Sequence, residues 1–469
     1  AGAFGGCESL KNVLIPNNVV SIESSAFYNC TSLENVIFDD GAKIKEINHG
    51  GSSYRGAFES CTSLTSIVIP KSIKKIANNS FKGCTNLNMI SFETNSELTY
   101  LDGFEGCSKL TSVNLEECSK LTTIYESAFK NCVSLTSITI PKSVTHIYGQ
   151  AFGECTNLET VIFEEGSKLE QLGEGVNPSG SSNYQGPFYK CTSLKNIIIP
   201  ESVAVIENYC FYLCESLVSI NIPKGVTKIG IRTFQGTSLI NVELPTGITY
   251  VGEYAFAYCQ NLKKVVLPST LNNIHNYAFS DCRGIETIRI YAETPPTMGT
   301  NVFNLPDNIM SAIVLQVPEI AVESYKSKTP WKYFNITTFP GTGSTININY
   351  GSYALDFIVT SVEPAECKVS CSSNPASPTS VNIPGIVLSN GITYKVTEVA
   401  DNAFLNCTNV TGVTMQTGIK IIGESAFSGC TSLNNMVVPE GVERLNESAF
   451  AGCTSMTNIS IPSTTLLIE

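Results

Sequence analysis

The stretch CTSLTSIVIPKSIKKIANNSF, Cys61 to Phe81, contains the pattern that decides the fold of this 469-residue chain. Its segment LTSIVIP alternates apolar with small polar residues, which is the period of a β-strand with one buried face. Pro70 ends that strand, because proline cannot donate a ladder hydrogen bond. SIKKI predicts a second short extended segment, and NNSF predicts a turn that reverses the chain.

Near-copies of this stretch recur along most of the chain, each marked by one phenylalanine in the same context. The unit reads A-F-x-x-C-x-x-L-x-x-I-x-I-P-x-x-V-x-x-I-G, and its commonest spacing is 23 residues. That period lies inside the range of leucine-rich repeats and below that of the all-helical repeats. The marker residues are Phe4, Phe27, Phe58, Phe81, Phe104, Phe129, Phe152, Phe188, Phe211, Phe234, Phe256, Phe279, Phe404, Phe427 and Phe450.

One such unit is too short to bury its own apolar side chains, among them Leu64, Ile67 and Phe81. Stacked units can bury them, because equivalent residues of successive units then form continuous columns. We therefore predict a solenoid: a right-handed leucine-rich repeat coil with a parallel β-sheet and units of about 23 residues. A small β-rich segment interrupts the repeats between two arrays.

Two phrases identify the kind of repeat: AFKNCVSLTSITIPKSVTHI (residues 128–147) and AFSGCTSLNNMVVPEGVERL (residues 426–445). Both resemble the BspA-type leucine-rich repeat, in which A-F, C-x-x-L, I-P and V-x-x-I follow one another. The resemblance covers residues 1–291 and 396–469. It implies a secreted or surface-displayed protein with a role in adhesion, and it brings no shared catalytic residues.

The repeat spacing and the resemblance divide the chain into four parts. Residues 1–291 are predicted to form a leucine-rich repeat array of about 12 units, and residues 292–341 resemble its C-terminal capping unit. Residues 342–395 resemble a β-rich linker or N-terminal cap of a second array, which occupies residues 396–469 with about three units. The residues expected to keep the frame of the capping unit or to close its end are Phe303, Pro318, Tyr325, Trp331 and Phe334.

Both ends of the chain look open. It begins with AGAFGG, without Met or an N-terminal cap, and the second array stops at IPSTTLLIE. Open ends expose apolar columns. We therefore expect either a piece of a longer protein or ends that a partner covers.

Fourteen of the eighteen cysteines occupy one repeat position, from Cys7 to Cys453. Stacked equivalent positions have parallel side chains, and free cysteine is among the most buried residue types, so we predict a column of buried thiols. The 23-residue spacing matches no zinc-ligand pattern, and we expect no metal and no cofactor. Outside the repeats, CKVSC places Cys367 and Cys371 four residues apart, and a disulfide between them is a hypothesis.

Composition narrows the functional classes. The chain has a net charge of −12 and a pI of about 5.0, and its 29 Lys and Arg residues form no basic stripe. Nucleic-acid binding is therefore not expected, because phosphate contacts need clustered cations.

No apolar run reaches the ~18 residues of a membrane helix, so we expect no membrane insertion. The three histidines lie in different units and no catalytic motif is present, which predicts that the protein is not an enzyme.

Two units carry similar insertions, GSSYRGAF (residues 51–58) and GSSNYQGPF (residues 180–188). Insertions in repeat proteins emerge as loops on one face, which is often the binding face. The candidate partner-binding residues are Tyr54, Arg55, Asn183, Tyr184 and Gln185. The alternative is an ordinary surface bulge.

The leading hypothesis is a non-catalytic surface or secreted adhesin-like module that binds a host matrix protein or another cell. A structural spacer and a glycan-binding module are the alternatives. Small uncharged residues dominate the outward positions of the main strand, and this composition does not choose between protein and glycan ligands. Those positions include Asn12, Asn35, Ser66, Ser112, Asn114, Ser137, Thr139, Thr160, Asn196, Ser219, Asn221 and Asn241.

Overall fold

The computed structural model describes residues 2–49, 55–173, 185–371 and 379–469. The chain splits into two compact units, which are described separately. The first comprises Ala1–Ile288 and Pro296–Ile313, and the second Arg289–Pro295 and Val314–Glu469. Within the described residues, every helix is too short or too polar to cross a membrane.

Each coil of the first unit begins with a strand of two to four residues, which we call the main strand. Alternate residues point inwards, and neighbouring main strands pair in parallel with equivalent residues opposite each other, as Ile67 and Ile90 do. The sequence alternation therefore sets both the buried face and the register. The main strands are Asn12–Ile15, Asn35–Phe38, Ser66–Ile69, Met89–Phe92, Ser112–Val113, Ser137–Ile140, Thr160–Phe163, Asn196–Ile197, Ser219–Ile220, Asn241–Glu243, Lys264–Leu267 and Thr287–Ile290, the last of which ends in residues assigned to the second unit.

The second side of each coil is the short extended segment predicted from SIKKI, here called the short strand. These strands also pair in parallel, and Ile76 lies opposite Leu101. The short strands are Ser21–Glu23, Glu46–His49, Lys75–Ile76, Tyr100–Leu101, Thr123–Ile124, His146–Ile147, Gln171–Leu172, Val205–Ile206, Lys228–Ile229, Tyr250–Val251, Asn273–Ile274 and Thr297–Met298. A 3-10 turn at Leu115–Glu117 and a short helix at Asp307–Met310 complete the unit.

The third side is the turn that carries the marker phenylalanine. The Phe81 amide donates to the Gly103 carbonyl of the next coil at 2.7 Å, so the turns are joined by main-chain bonds much as the strands are. The phenylalanine rings lie parallel, with centroids 5.0 Å apart between Phe81 and Phe104 and 5.6 Å apart between Phe104 and Phe129. The predicted solenoid with its continuous phenylalanine column is confirmed.

The thiol column has a defined hydrogen-bonding role. Cys61 Sγ donates to the Phe27 carbonyl at 3.2 Å, and Cys84 Sγ donates to the Phe58 carbonyl at 3.2 Å. Each of these thiols thus finds an acceptor on the preceding coil, at a carbonyl that also accepts the main-chain amide of Cys30 or Cys61, so the buried thiol is not left unpaired. One coil has Thr237 instead, whose hydroxyl donates to the Phe234 carbonyl of its own coil at 2.9 Å. The position therefore accepts a small side chain that can donate a hydrogen bond.

We expect thiol labelling of the folded protein to be nearly confined to one residue. Cys7 is exposed, whereas burial raises the pKa of Cys61 and of Cys155 to about 12. Only the thiolate reacts, so a maleimide at pH 8 should modify Cys7 quickly and the half-buried Cys371 and Cys453 more slowly. Peptide mapping before and after denaturation checks this, with Cys7→Ser as the control. Rapid labelling of Cys61 or Cys155 in the folded protein would contradict the buried column.

The second unit combines parallel and antiparallel pairing. Thr345–Asn349, Ala354–Val362 and Ala365–Cys371 form an antiparallel meander, and the last of these pairs in parallel with Ile392–Val399. The other strands are Val314–Pro318, Asn335–Phe339, Ser380–Ile383, Ile386–Ser389, Gly412–Met415, Ile421–Ile422, Asn435–Val437, Arg444–Leu445, Asn458–Ser460 and Leu467–Ile468. A helix at Val322–Ser327 and 3-10 turns at Glu319–Ala321 and Trp331–Tyr333 lie near its start.

Aromatic packing in the second unit follows the sequence. Phe404 and Phe427 stack with ring centroids 5.1 Å apart, which repeats the column of the first unit. Tyr325 and Trp331 are buried against each other edge to face at 5.5 Å, and the Tyr325 hydroxyl donates to the Ala292 carbonyl at 2.9 Å. The finer division at residues 292–341, 342–395 and 396–469 stays a prediction.

The disulfide hypothesis for Cys367 and Cys371 is wrong. Both cysteines are free and lie on one strand, Ala365–Cys371. Four residues of extended chain span about 13 Å, whereas a disulfide needs its Cα atoms within about 7 Å of each other. Cys367 is buried and Cys371 is half-buried.

Candidate functional site

The structure locates two of the five predicted contact residues. Arg55 is exposed, and its guanidinium carbon lies 4.3 Å from the ring centroid of Tyr28. Gln185 is half-buried, and its main-chain carbonyl accepts the main-chain N–H of Gln150 at 3.1 Å. The two residues belong to different coils and have different neighbours, so the structure does not bring them together. Tyr54, Asn183 and Tyr184 lie outside the described residues.

The outward face of the main strands carries a row of exposed aliphatic side chains, which the sequence analysis missed. We call this row the aliphatic lane. Each member is more than half exposed, and each lies two residues after a polar outward position. The alternation that places Ser66 outside places Val68 outside as well, so the signal was present in the sequence. The lane consists of two groups, Leu14, Ile37 and Val68 in three successive coils and Ile162 and Ile198 in two, and the three coils between them carry Ser91, Asn114 and Thr139 at the same position.

Some of the polar outward residues bond to one another along the coil axis. Asn35 Nδ2 donates to Asn12 Oδ1 at 2.7 Å, and the Ser219 hydroxyl donates to Asn196 Oδ1 at 2.8 Å. Asn221 is only half exposed, because its side chain bonds the main chain of Ile199. Asn221 Nδ2 donates to the Ile199 carbonyl, and Asn221 Oδ1 accepts the Ile199 main-chain N–H, both at 2.7 Å. Asn221 therefore completes the main-chain pairing of its neighbour and is not an open contact position.

An apolar groove of about 630 Å³ opens within the aliphatic lane, between the coils at Thr160–Ser167 and Asn196–Ser202. The groove forms where pairing stops, since Thr160–Phe163 continues past the two paired residues of Asn196–Ile197. Ile162 is 51% exposed and Ile198 is 79% exposed. Such a groove can accept an apolar side chain of a partner.

Glutamates stand at the edge of this groove. Glu164 and Glu201 both line it, and Glu164 Oε2 accepts the Lys142 amide of the preceding coil at 2.9 Å. The carboxylate of Glu164 is thereby held at the rim and does not enter the apolar floor. The site has the apolar centre and polar border that are typical of protein–protein contact patches.

An arginine and two tyrosines stack on the turn side of the first unit. Arg232 Cζ lies 4.5 Å from the ring centroid of Tyr254, whose other neighbour, Tyr277, stacks on it at 4.8 Å. Both neighbours are aligned with the Tyr254 ring, so Tyr254 offers no open face to a sugar ring. Arg232, Tyr254 and Tyr277 all have positive φ, between 55° and 57°, which Asn, Ser or Gly occupy in most other coils.

The described residues show no arrangement typical of a metal centre. Across residues 2–49, 55–173, 185–371 and 379–469, no group of three or more His, Cys, Asp and Glu side chains is placed to hold an ion. His146 shares a 2.9 Å hydrogen bond with the Thr145 hydroxyl, and His275 packs against the Tyr250 ring at 4.6 Å. These two histidines sit on different coils.

Comparison with known proteins gives a family match. The BspA type leucine rich repeat region matches in six copies, over residues 1–95, 51–176, 183–309 and 382–469. Among curated proteins, none matches this chain in sequence.

Several solved structures are similar to this chain. A leucine-rich repeat protein from Bacteroides ovatus is 22% identical over 98% of this chain and 82% of its own, with a TM-score of 0.45. A leucine rich cell surface protein from Faecalibacterium prausnitzii is 22% identical over 74% of this chain and 78% of its own, with a TM-score of 0.29. The pneumococcal vaccine antigen PcpA is 18% identical over 70% and 66%, with a TM-score of 0.32.

Proposed function

Because this chain belongs to the BspA-type leucine-rich repeat family, we propose that it is a surface or secreted, adhesin-like module that binds a protein partner through the aliphatic lane of its first unit. The partner class is a host matrix protein or a protein on another cell. The family supports a repeat scaffold for protein interaction, and the partner class follows from the family resemblance.

The exposure of Ile162 and Ile198 carries this proposal. Fully burying an exposed isoleucine side chain is worth about 1.5–3 kcal/mol, so covering the exposed part of these two residues can contribute to a moderate affinity. Both extend from paired strands, so binding costs little additional main-chain ordering. An exposed apolar patch on a folded protein supports an interaction site at this position.

The buried thiols suit a protein that is exported. All eighteen cysteines are free, and the repeat-position thiols donate to buried carbonyls. A thiol without access to oxidants and without a thiolate population resists oxidation. The column can therefore persist outside the cell without forming disulfides.

The two alternatives make different demands on the surface. A spacer needs no exposed aliphatic lane, and its faces would be inert. A glycan-binding module usually uses open aromatic faces, whereas both sides of Tyr254 are occupied by Arg232 and Tyr277. The apolar groove therefore favours a protein ligand.

We expect Ile198→Asp to weaken binding to a matrix protein by about tenfold to a hundredfold, because a charge replaces an apolar contact. Surface plasmon resonance should follow an array screen of matrix proteins, mucins and cell-surface proteins. Val20→Asp is the matched control, since Val20 is 65% exposed and lies outside the lane. Arg55→Ala and Gln185→Ala, measured in parallel, test the insertions as a second contact surface. Unchanged affinity of Ile198→Asp, or no protein ligand in the screen, would contradict the proposal.

A further inference from the structure

A second concave site lies beside the short strands of the first unit. It encloses about 380 Å³ and its lining includes Asn78, Tyr100, Asp102, Glu105, Tyr125 and Glu126. Three successive coils contribute to it. Its walls are ring edges, amides and carboxyl groups, in contrast to the aliphatic groove on the main strands.

The tyrosines of this pocket are fixed in place. Tyr100 and Tyr125 stack with ring centroids 3.8 Å apart, and the Tyr100 hydroxyl donates to Asn78 Oδ1 at 3.2 Å. Lys75 Nζ lies 4.7 Å from the Tyr100 centroid. The stacked pair is thus a rigid wall that already tolerates an ammonium group on one ring.

Asp102 is the unusual residue of the pocket. It directly follows a short strand, at the position that Ala77 and Tyr125 occupy in the adjacent coils. The side chain is only 7% exposed, and its carboxylate accepts the amide of Gly103. Gly103 has a φ of 99°, and a Cβ there would lie 2.8 Å from the Ala77 carbonyl, so glycine is needed to hold the carboxylate here.

The pocket contains more negative charge than its own cations neutralise. Glu105 pairs with Lys82 at 2.8 Å, whereas neither Asp102 nor Glu126 has an ion-pair partner within the part of the chain that the structure describes. Burial, together with the charges of Glu126 and Glu105, raises the pKa of Asp102 to about 7, although the Gly103 amide and Lys82 both act to lower it. A buried carboxylate without a countercharge is costly unless a cation joins it.

We propose that this pocket binds the ammonium or guanidinium group of a lysine or arginine side chain of the protein partner, with Asp102 and Glu126 as counter-ions. The inference rests on the proposed protein-binding function for the identity of the donor molecule. The stem of such a side chain can lie along the tyrosine edges while its charged end reaches Asp102. A bare divalent ion fits less well, because the described residues offer no ligand set for a metal.

Single-residue probes test this site without a partner. Calorimetry at pH 8, where the Asp102 carboxyl is mostly ionised, should detect weak binding of N-acetyl-arginine amide or N-acetyl-lysine amide and none of neutral N-acetyl-glycine amide. Asp102→Asn should weaken binding about tenfold or more, and Glu126→Gln should weaken it to a smaller extent. Asp40→Asn, at an exposed acid outside the pocket, is the control and should bind as the wild type does.

The outcomes separate this proposal from the function proposed above. Equal binding by Asp102→Asn and the wild type, or binding of calcium ions in preference to either basic probe, would overturn the pocket assignment. Carbon-13 NMR of the aspartate carboxyls adds a direct readout, because a bound cation should lower the pKa of Asp102. Ile198→Asp lies on another face and should leave probe binding intact, so failure of the groove and failure of the pocket are distinguishable.

Discussion

Phe152→Ala is expected to destabilise the first unit by about 3–5 kcal/mol, which is the usual range for removing a fully buried phenylalanine. Phe152 has no exposed surface, and its ring lies 5.5 Å from that of Phe129 and 5.6 Å from that of Phe188. Alanine leaves a void between two coils. In a solenoid each coil contacts only its neighbours, so no distant side chain can fill that void.

Urea denaturation followed by circular dichroism measures this effect. Phe4→Ala is the matched control, because Phe4 is 49% exposed and stacks on Phe27 alone, 5.2 Å away. Phe4→Ala should lower the free energy of unfolding clearly less than Phe152→Ala does. Phe152→Leu should recover much of the stability, since leucine refills most of the volume. A midpoint for Phe152→Ala equal to that of the wild type would mean that the column does not support the fold.

The sequence predicted the column because each phenylalanine occurs in the same local context. Insertions such as those before Phe58 and Phe188 lengthen a coil without changing that context, so both rings still stack on their neighbours. Cysteine burial followed from the same repetition. The Sγ-to-carbonyl hydrogen bonds did not, because they depend on the offset between successive coils and not on residue type.

The candidate site was less predictable from the sequence. Strand alternation assigns Val68 and Ile162 to the outside, but a hydrophobicity-based reading treats aliphatic residues as core. The groove itself depends on where the pairing of Asn196–Ile197 ends, and a two-residue strand has no distinct sequence signal. The disulfide hypothesis failed because Cys367 and Cys371, only four residues apart in sequence, are far apart on an extended strand.

The pocket at Asp102 was also not predictable from the sequence. Tyr100 and Tyr125 are 25 residues apart, whereas their short strands pair at the usual 23-residue offset, with Thr123 opposite Tyr100. The two tyrosines therefore occupy non-equivalent positions of successive coils, and the repeat period does not predict that their rings stack. Only the coordinates bring the tyrosine pair and the carboxyl group into one cavity.

Asp102→Asn is expected to raise the free energy of unfolding at pH 8 by about 2–4 kcal/mol and to change it little at pH 4. Burial raises the pKa of Asp102 from 3.8 to about 7, so the folded protein holds this proton more tightly than the unfolded chain does. The cost of ionising the carboxyl is therefore absent below about pH 4, grows as the pH rises to about 7, and is constant above that. Asparagine has no such cost and nearly the same shape.

Denaturant titrations at pH 4, 6 and 8 check this prediction, with Asp40→Asn as the exposed control. Glu105, Glu126, Lys82, Tyr100 and Tyr125 face the same carboxyl and are present in both proteins, so the difference between them isolates Asp102. A difference that is the same at all three pH values would show that packing, and not ionisation, sets the effect. Saturating N-acetyl-arginine amide should stabilise the wild type at pH 8 and not Asp102→Asn, because only an ionised carboxyl gains from the cation.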